Sequence, residues 1–162
     1  MAVRIGVISD THVPDRQRTI PEEVLRGLSD VDMIIHAGDL TSMSVLHQLE
    51  EIAPVHAVAG NMDSWEVKSA LKSVMRLSVL DKTIVVFHGA ASHGATEGVA
   101  RTEYPDADCV VFGHTHRTCN DWEGKTLVFN PGTASRSFGL GPTYGILTVR
   151  EGAPVEGELF QA

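Results

Sequence analysis

Five short apolar runs in this chain each stop at a residue type that binds metal ions, and that recurrence constrains the fold more than any other feature. Val3–Ser9 leads into Asp10-Thr11-His12, Val31–His36 into Ala37-Gly38-Asp39, and Val55–Ala59 into Gly60-Asn61. Thr83–Phe87 leads into His88-Gly89, and Cys109–Phe112 into Gly113-His114-Thr115-His116. Short runs rich in Val and Ile, bounded by such breaks, read as buried strands. Open α/β sheets place their sites beyond the carboxyl ends of strands, so five such ends predict one shared site. In extended backbone His114 and His116 face one way, and both imidazoles can aim at one point.

The segments between the runs set the topology. Pro21-Glu22-Glu23 opens a helix that stops near Gly27, with proline tolerated and acids favoured in the first turn. A second helix begins near Thr41 or Ser42 and reaches about Glu51, before Pro54. Strands alternating with helices imply parallel pairing through right-handed crossovers, which puts Asp10, Asp39 and Asn61 on one sheet edge. The pattern then changes. Val74–Leu80 and Thr83–Phe87 read as a hairpin about Asp81-Lys82, and a weak helical stretch covers Ala95–Arg101. Arg117–Trp122, Lys125–Phe129, Thr143–Arg150 and Val155–Phe160 read as short antiparallel strands. The expected fold is a single α/β domain over residues 1–162, with a parallel N-terminal half and an antiparallel C-terminal half.

Composition narrows the partners. With 162 residues, 43% hydrophobic and 21% charged, the chain can bury a sizeable core. A net charge of -8 argues against a nucleic-acid or anionic-membrane surface and leaves small molecules as the expected partners. No apolar run approaches the roughly 18 residues of a membrane helix. The N-terminus reads as a first strand rather than a signal peptide, so the cytoplasm is the expected compartment. Cys109 and Cys119 form neither a disulfide scaffold nor a metal-type pair. Oligomeric state, homo-oligomer included, is left open.

The seven groups Asp10, His12, Asp39, Asn61, His88, His114 and His116 define the chemistry. Burying them together without a cation carries a large desolvation cost. Seven ligands exceed one four-coordinate zinc and suit two cations with open positions. Imidazole mixed with carboxylate and amide favours Mn, Fe, Ni or Zn over Mg or Ca. A bridging carboxylate reduces repulsion between two such ions, and Asp39 is the candidate bridge.

In this order, Asp10-x-His12, Gly38-Asp39, Gly60-Asn61, His88 and Gly113-His114-x-His116 resemble the calcineurin-like metallophosphoesterase superfamily. The short length and Asn130-Pro131-Gly132-Thr133 resemble its small YfcE-type phosphodiesterases. The resemblance implies an αββα fold, a two-sheet β-sandwich flanked by helices. It implies one metal on Asp10, His12, Asp39 and His116, and another on Asp39, Asn61, His88 and His114. The expected pair is Mn, with Ni, Fe or Zn as alternatives. Hydrolysis of a small phosphodiester by a hydroxide bridging the two ions follows, with Asp39 and Asn61 as catalytic ligands. A phosphomonoesterase and a non-catalytic scaffold of the retromer-subunit type are the alternatives.

Two departures from the family pattern bear on activity. Met62 stands where many members carry a histidine that protonates the leaving group, so diesters with good leaving groups are the expected substrates. Ala90 stands where a second histidine is common after His88, and His93 is a candidate substitute. Asn130 and Thr133 are candidates for hydrogen-bonding the ligating imidazoles from behind. His36 is expected to be a satisfied core histidine, and His47 an exposed one. Arg16, Arg18, Arg117 and Arg136 are expected to be ordinary surface arginines unless the fold brings them to the site. Met62 and Trp65 could line its entrance.

Overall fold

The computed structural model describes residues 1–90, 92–136 and 140–162, the side chain of His93 excepted. The first half contains β1 (Ala2–Ile8), α1 (Glu22–Gly27), β2 (Met33–His36), α2 (Ser44–Glu50), β3 (Val55–Ala57) and α3 (Trp65–Ala70). There follow β4 (Val74–Val79), β5 (Lys82–Phe87), α4 (His93–Thr102), β6 (Cys109–Phe112), β7 (Thr118–Glu123), β8 (Thr126–Pro131), β9 (Thr143–Arg150) and β10 (Glu156–Gln161). The strands form two five-stranded sheets, ordered β10-β9-β1-β2-β3 and β4-β5-β6-β8-β7.

Side-chain alternation along the strands builds the layers. In β5, Ile84 and Val86 join the cluster between the sheets, while Val85 and Phe87 face Ala100 of α4. In β6, Cys109 and Val111 point inward and Val110 and Phe112 outward. Across the sandwich, Ile5, Val7 and Ile35 meet the inward set, and Ile8 and Ile34 pack on Val24, Leu46, Leu49 and Val67 of α1 to α3. Each such side chain contributes about 1.5–3 kcal/mol when fully buried. The result is the αββα sandwich implied by the family resemblance.

Pairing within the halves is more mixed than the sequence pattern suggests. β1, β2 and β3 are parallel, as expected, with Val7 beside Ile35 and His36 beside Ala57. The expectation of an antiparallel C-terminal half needs correcting at β5, β6 and β8, which pair in parallel. Helix α4 carries the crossover from β5 to β6. β7 then runs along the sheet's outer edge and returns the chain so that β8 enters beside β6. Carboxyl ends of six strands, β1, β2, β3, β5, β6 and β8, therefore meet on one rim.

Three helical details differ from expectation. Helix α2 starts at Ser44, because Thr41 adopts a left-handed conformation with φ 72° and donates its hydroxyl to the Val13 carbonyl at 2.5 Å. Helix α4 is longer than Ala95–Arg101, starting where the Ser92 hydroxyl accepts the Ala95 N–H at 3.3 Å. Helix α3 was not expected: its six residues bury only Val67, too little for a periodic signal, and Ser64 caps it.

Candidate metal centre

The loops after β1 and β2 are locked by backbone bonds. Asp10 N–H donates to the Gly38 carbonyl at 2.9 Å and His12 N–H to the Asp39 carbonyl at 3.0 Å. Asp10, His12, Asp39, His114 and His116 all adopt left-handed backbone, with φ of 56°, 49°, 58°, 69° and 59°. Such conformations cost roughly 1–3 kcal/mol each at non-glycine residues and persist only where surrounding structure enforces them. The extended backbone expected at His114 and His116 is thus corrected. Thr115 N–H closes onto the Gly113 carbonyl at 2.8 Å, and the turn sends the two imidazoles to different neighbours.

The glycines before Asp39 and Asn61 follow from crowding. Gly38 has φ 98°, and a Cβ there would lie 2.7 Å from the His88 ring. A Cβ on Gly60 would run into the Asp39 carboxylate and backbone. Both positions leave the ligand side chains the room that a larger residue would take.

Two groups of ligand atoms result, each confined within 4.8 Å: Asp10, His12 and His116, and Asp10, Asp39 and His88. His116 Nε2 lies 3.1 Å from Asp10 Oδ1, and His88 Nε2 3.1 Å from Asp39 Oδ2. His12 Nε2 is 3.7 Å from both Asp10 Oδ1 and Asp39 Oδ2. His114 Nδ1 sits 3.2 Å from Asn61 Oδ1, with its ring edge-on to His88 at 5.4 Å. Asp10 belongs to both groups and Asp39 faces a histidine from each, so either carboxylate is placed to bridge. The Nε2 atoms of His12 and His88 are buried and hydrogen-bond to nothing. The short His88–Asp39 approach lacks hydrogen-bond geometry. His88 Nδ1 is spent on the Ala37 carbonyl at 2.7 Å, which leaves the Nε2 lone pair facing the carboxylates. Buried lone pairs beside two carboxylates fit a divalent cation.

Residues 3–152 match the calcineurin-like phosphoesterase superfamily domain. The chain belongs to that superfamily. It is 36% identical over 160 residues to a probable metallophosphoesterase of Methanothermobacter thermautotrophicus, covering 97% of this chain and 91% of that one. A phosphodiesterase of Methanocaldococcus jannaschii is 30% identical, with 90% and 92% covered. The Vps29 structure from Cryptosporidium parvum superposes with a TM-score of 0.77 at 21% identity, over 99% of each chain, and shows the shared fold. A calcineurin-like phosphoesterase uses divalent metal, and the donors described above supply ligand groups for it.

The carboxylates and imidazoles of this cluster perturb one another. Burial pushes the Asp10 carboxyl up, but the hydrogen-bonding His116 imidazole and the nearby His12 and His88 rings outweigh it and hold Asp10 well below the usual carboxylate range. For His88, burial works against the proton, and the Asp39 and Asp10 carboxylates overcome it and raise its pKa.

Several supporting residues carry weak sequence signals. Asp63 accepts the N–H groups of Asp39 at 3.0 Å, Thr41 at 2.6 Å and Gly60 at 2.6 Å, tying the Asp39 loop to the Asn61 loop. Burial raises its pKa against these bonds. Only its position two residues after Asn61 hinted at a role. His36 is buried and satisfied, as expected: Nδ1 accepts from Gly38 N–H at 3.1 Å and Nε2 meets Thr11 Oγ1 at 3.0 Å. Burial pushes its pKa down to about 3. Asn130 and Thr133 hold backbone carbonyls and the Thr115 hydroxyl, not the imidazoles. Asn130 donates to the Gly113 carbonyl at 3.3 Å and Thr115 Oγ1 at 3.0 Å, and Thr133 donates to the Asp10 carbonyl at 2.9 Å.

A cleft of about 570 Å³ opens onto the ligands, lined by His12, Asp39, Asn61, His114 and His116 together with Met62, Thr115, Arg16 and Arg117. Met62 N–H donates to Asp39 Oδ1 at 2.8 Å, and its side chain stays half exposed. Trp65 is exposed at the start of α3 and does not line the cleft. His47 is exposed on α2. Arg136 pairs with Glu23 at 2.9 Å. The side chain of His93 lies outside what is described.

Proposed function

We propose that this phosphoesterase hydrolyses small phosphodiesters with two divalent cations, Mn foremost, with Ni, Fe or Zn as alternatives. Asp10, His12 and His116 would hold one ion and Asn61, His88 and His114 the other, with Asp39 between them. The observation that carries the reading is the pair of orphaned, buried Nε2 atoms on His12 and His88 beside two carboxylates. Bound there, the cations would neutralise the ester's anionic oxygens and bring the pKa of water toward neutrality.

The chain's own residues do the positioning. Asp63 and Met62 N–H orient Asp39, Asn130 shapes the His114 turn, and Thr133 fixes Asp10. Among the residues lining the cleft, Met62 occupies the approach to Asn61 and carries no proton to give. A leaving group must therefore depart largely unassisted, which favours diesters with acidic alcohols over monoesters.

The test is nitrophenolate release from bis-p-nitrophenyl phosphate by chelated protein after return of Mn or Ni. Restored turnover is expected, and silence with every divalent metal would defeat the proposal. Under the phosphomonoesterase reading, p-nitrophenyl phosphate would be cleaved faster than the diester. Met62→His should raise the monoester rate. The likeness to Vps29 suggests a second reading, a non-catalytic binding scaffold; it predicts no turnover of either ester with any divalent metal.

A further inference from the structure

We infer that Arg16 and Arg117 form an anion subsite beside the metal ligands, so that the favoured substrates are phosphodiesters bearing a second phosphate. The inference rests on the proposed diesterase reading and specifies its substrate class.

The chain has nine arginines, and six hold an acidic partner: Arg4, Arg26, Arg76, Arg101, Arg136 and Arg150. Among the described residues, the guanidinium groups of Arg16, Arg18 and Arg117 have none. Two of those three line the metal cleft. In a chain of net charge -8, unpaired arginines gathered at a cleft lined by five of the seven candidate ligands are a departure from the surface average.

Both are tied to the ligand loops. Arg16 N–H donates to the His12 carbonyl at 2.8 Å. Arg117 directly follows His116, and its N–H donates to Thr115 Oγ1 at 3.2 Å, the same hydroxyl that Asn130 holds. Their backbone is therefore fixed relative to the reaction centre, while the exposed side chains stay free to fork onto a phosphate.

Charge balance separates the scissile group from a second one. Two divalent ions against the Asp10 and Asp39 carboxylates and a bridging hydroxide leave a net of one positive charge, which matches the single charge of a diester and leaves none for a second phosphate. Two further arginines match an additional phosphate monoester, which carries about -1.5 to -2 at neutral pH. A cleft of this volume also exceeds what the reacting group needs, within the range of pockets that enclose whole small molecules.

Titration calorimetry of Mn-loaded protein with thymidine 3′,5′-bisphosphate and thymidine 5′-phosphate tests this without turnover. Roughly tenfold tighter binding of the bisphosphate is expected, the scale of one charge-assisted contact at an exposed site. The ratio should fall toward one in the Arg16→Gln, Arg117→Gln double variant and stay unchanged in Arg18→Gln. Cleavage of the p-nitrophenyl ester of thymidine 5′-phosphate, with and without a 3′-phosphate, should show the same preference. A ratio near one in the wild type, or one that survives the double substitution, overturns the subsite. If neither ester is cleaved, the diesterase reading fails, and the calorimetric ratio still decides the subsite.

Discussion

The two rims of the sandwich differ in which residues they place in left-handed backbone. The far rim holds the β4–β5, β7–β8 and β9–β10 turns. There Gly124 and Gly152 take φ of 60° and 72° in open space, and Leu80 is the one non-glycine with positive φ. At the ligand rim, Asp10, His12, Asp39, Thr41, His114 and His116 take the same conformation with side chains attached. Glycine would be the relaxed choice at both rims. Among the described residues, left-handed non-glycine residues number six at the ligand rim against Leu80 alone at the far rim, and five of the six are candidate ligands, so the strain is concentrated where the side chains are wanted.

Substitutions can break that contrast, and the largest effect belongs to the ligands. Asp39→Asn should lower Mn affinity by roughly 100-fold or more, because even groups behind metal ligands are worth 10- to 100-fold; calorimetry against chelated protein reads this directly. Asp63→Asn comes next, at about 10- to 100-fold in Mn affinity, since an amide cannot accept all three N–H groups that hold the two loops together. If Mn binding to Asp63→Asn matches wild type, the loops are not what fixes the ligands.

Acid should weaken the ligand rim through His36. Its folded pKa of about 3 lies below the unfolded value near 6.5, so the unfolded chain binds the proton first. Stability from keeping His36 neutral is complete above pH 6.5 and is lost as pH falls toward 3. The Tm of metal-free protein should decline over that window, and His36→Asn should flatten the decline. Smallest is Gly152→Ala at the far rim, expected to cost about 1–2 kcal/mol in stability through left-handed strain, with Mn affinity unchanged. A comparable loss of metal binding there would erase the distinction between the rims.

Much of the ligand rim is legible in sequence, because each strand is an apolar run and each run stops at a polar residue beside a tight turn. His36 reads as a core histidine for the same reason. The rest depends on contacts between distant segments. Asp63 looks like one more acidic residue until β2 and β3 lie side by side. The parallel entry of β8 beside β6 depends on where β7 lies, which no local pattern encodes. Nor does residue type reveal that His114 and His116 are left-handed, since that conformation is uncommon even for histidine, which is enriched in it. Asn130 and Thr133 stand out as a polar pair about a Pro-Gly turn, but their hold on backbone rather than imidazole appears only in three dimensions.

The central claim is that one rim gathers ligands for two cations. Anomalous X-ray scattering from crystals grown with Mn tests it most directly. The account predicts two peaks about 3.5–4 Å apart, one beside Asp10, His12 and His116, the other beside Asn61, His88 and His114, with Asp39 between them. A single peak, or His114 and His116 on the same ion, would contradict it.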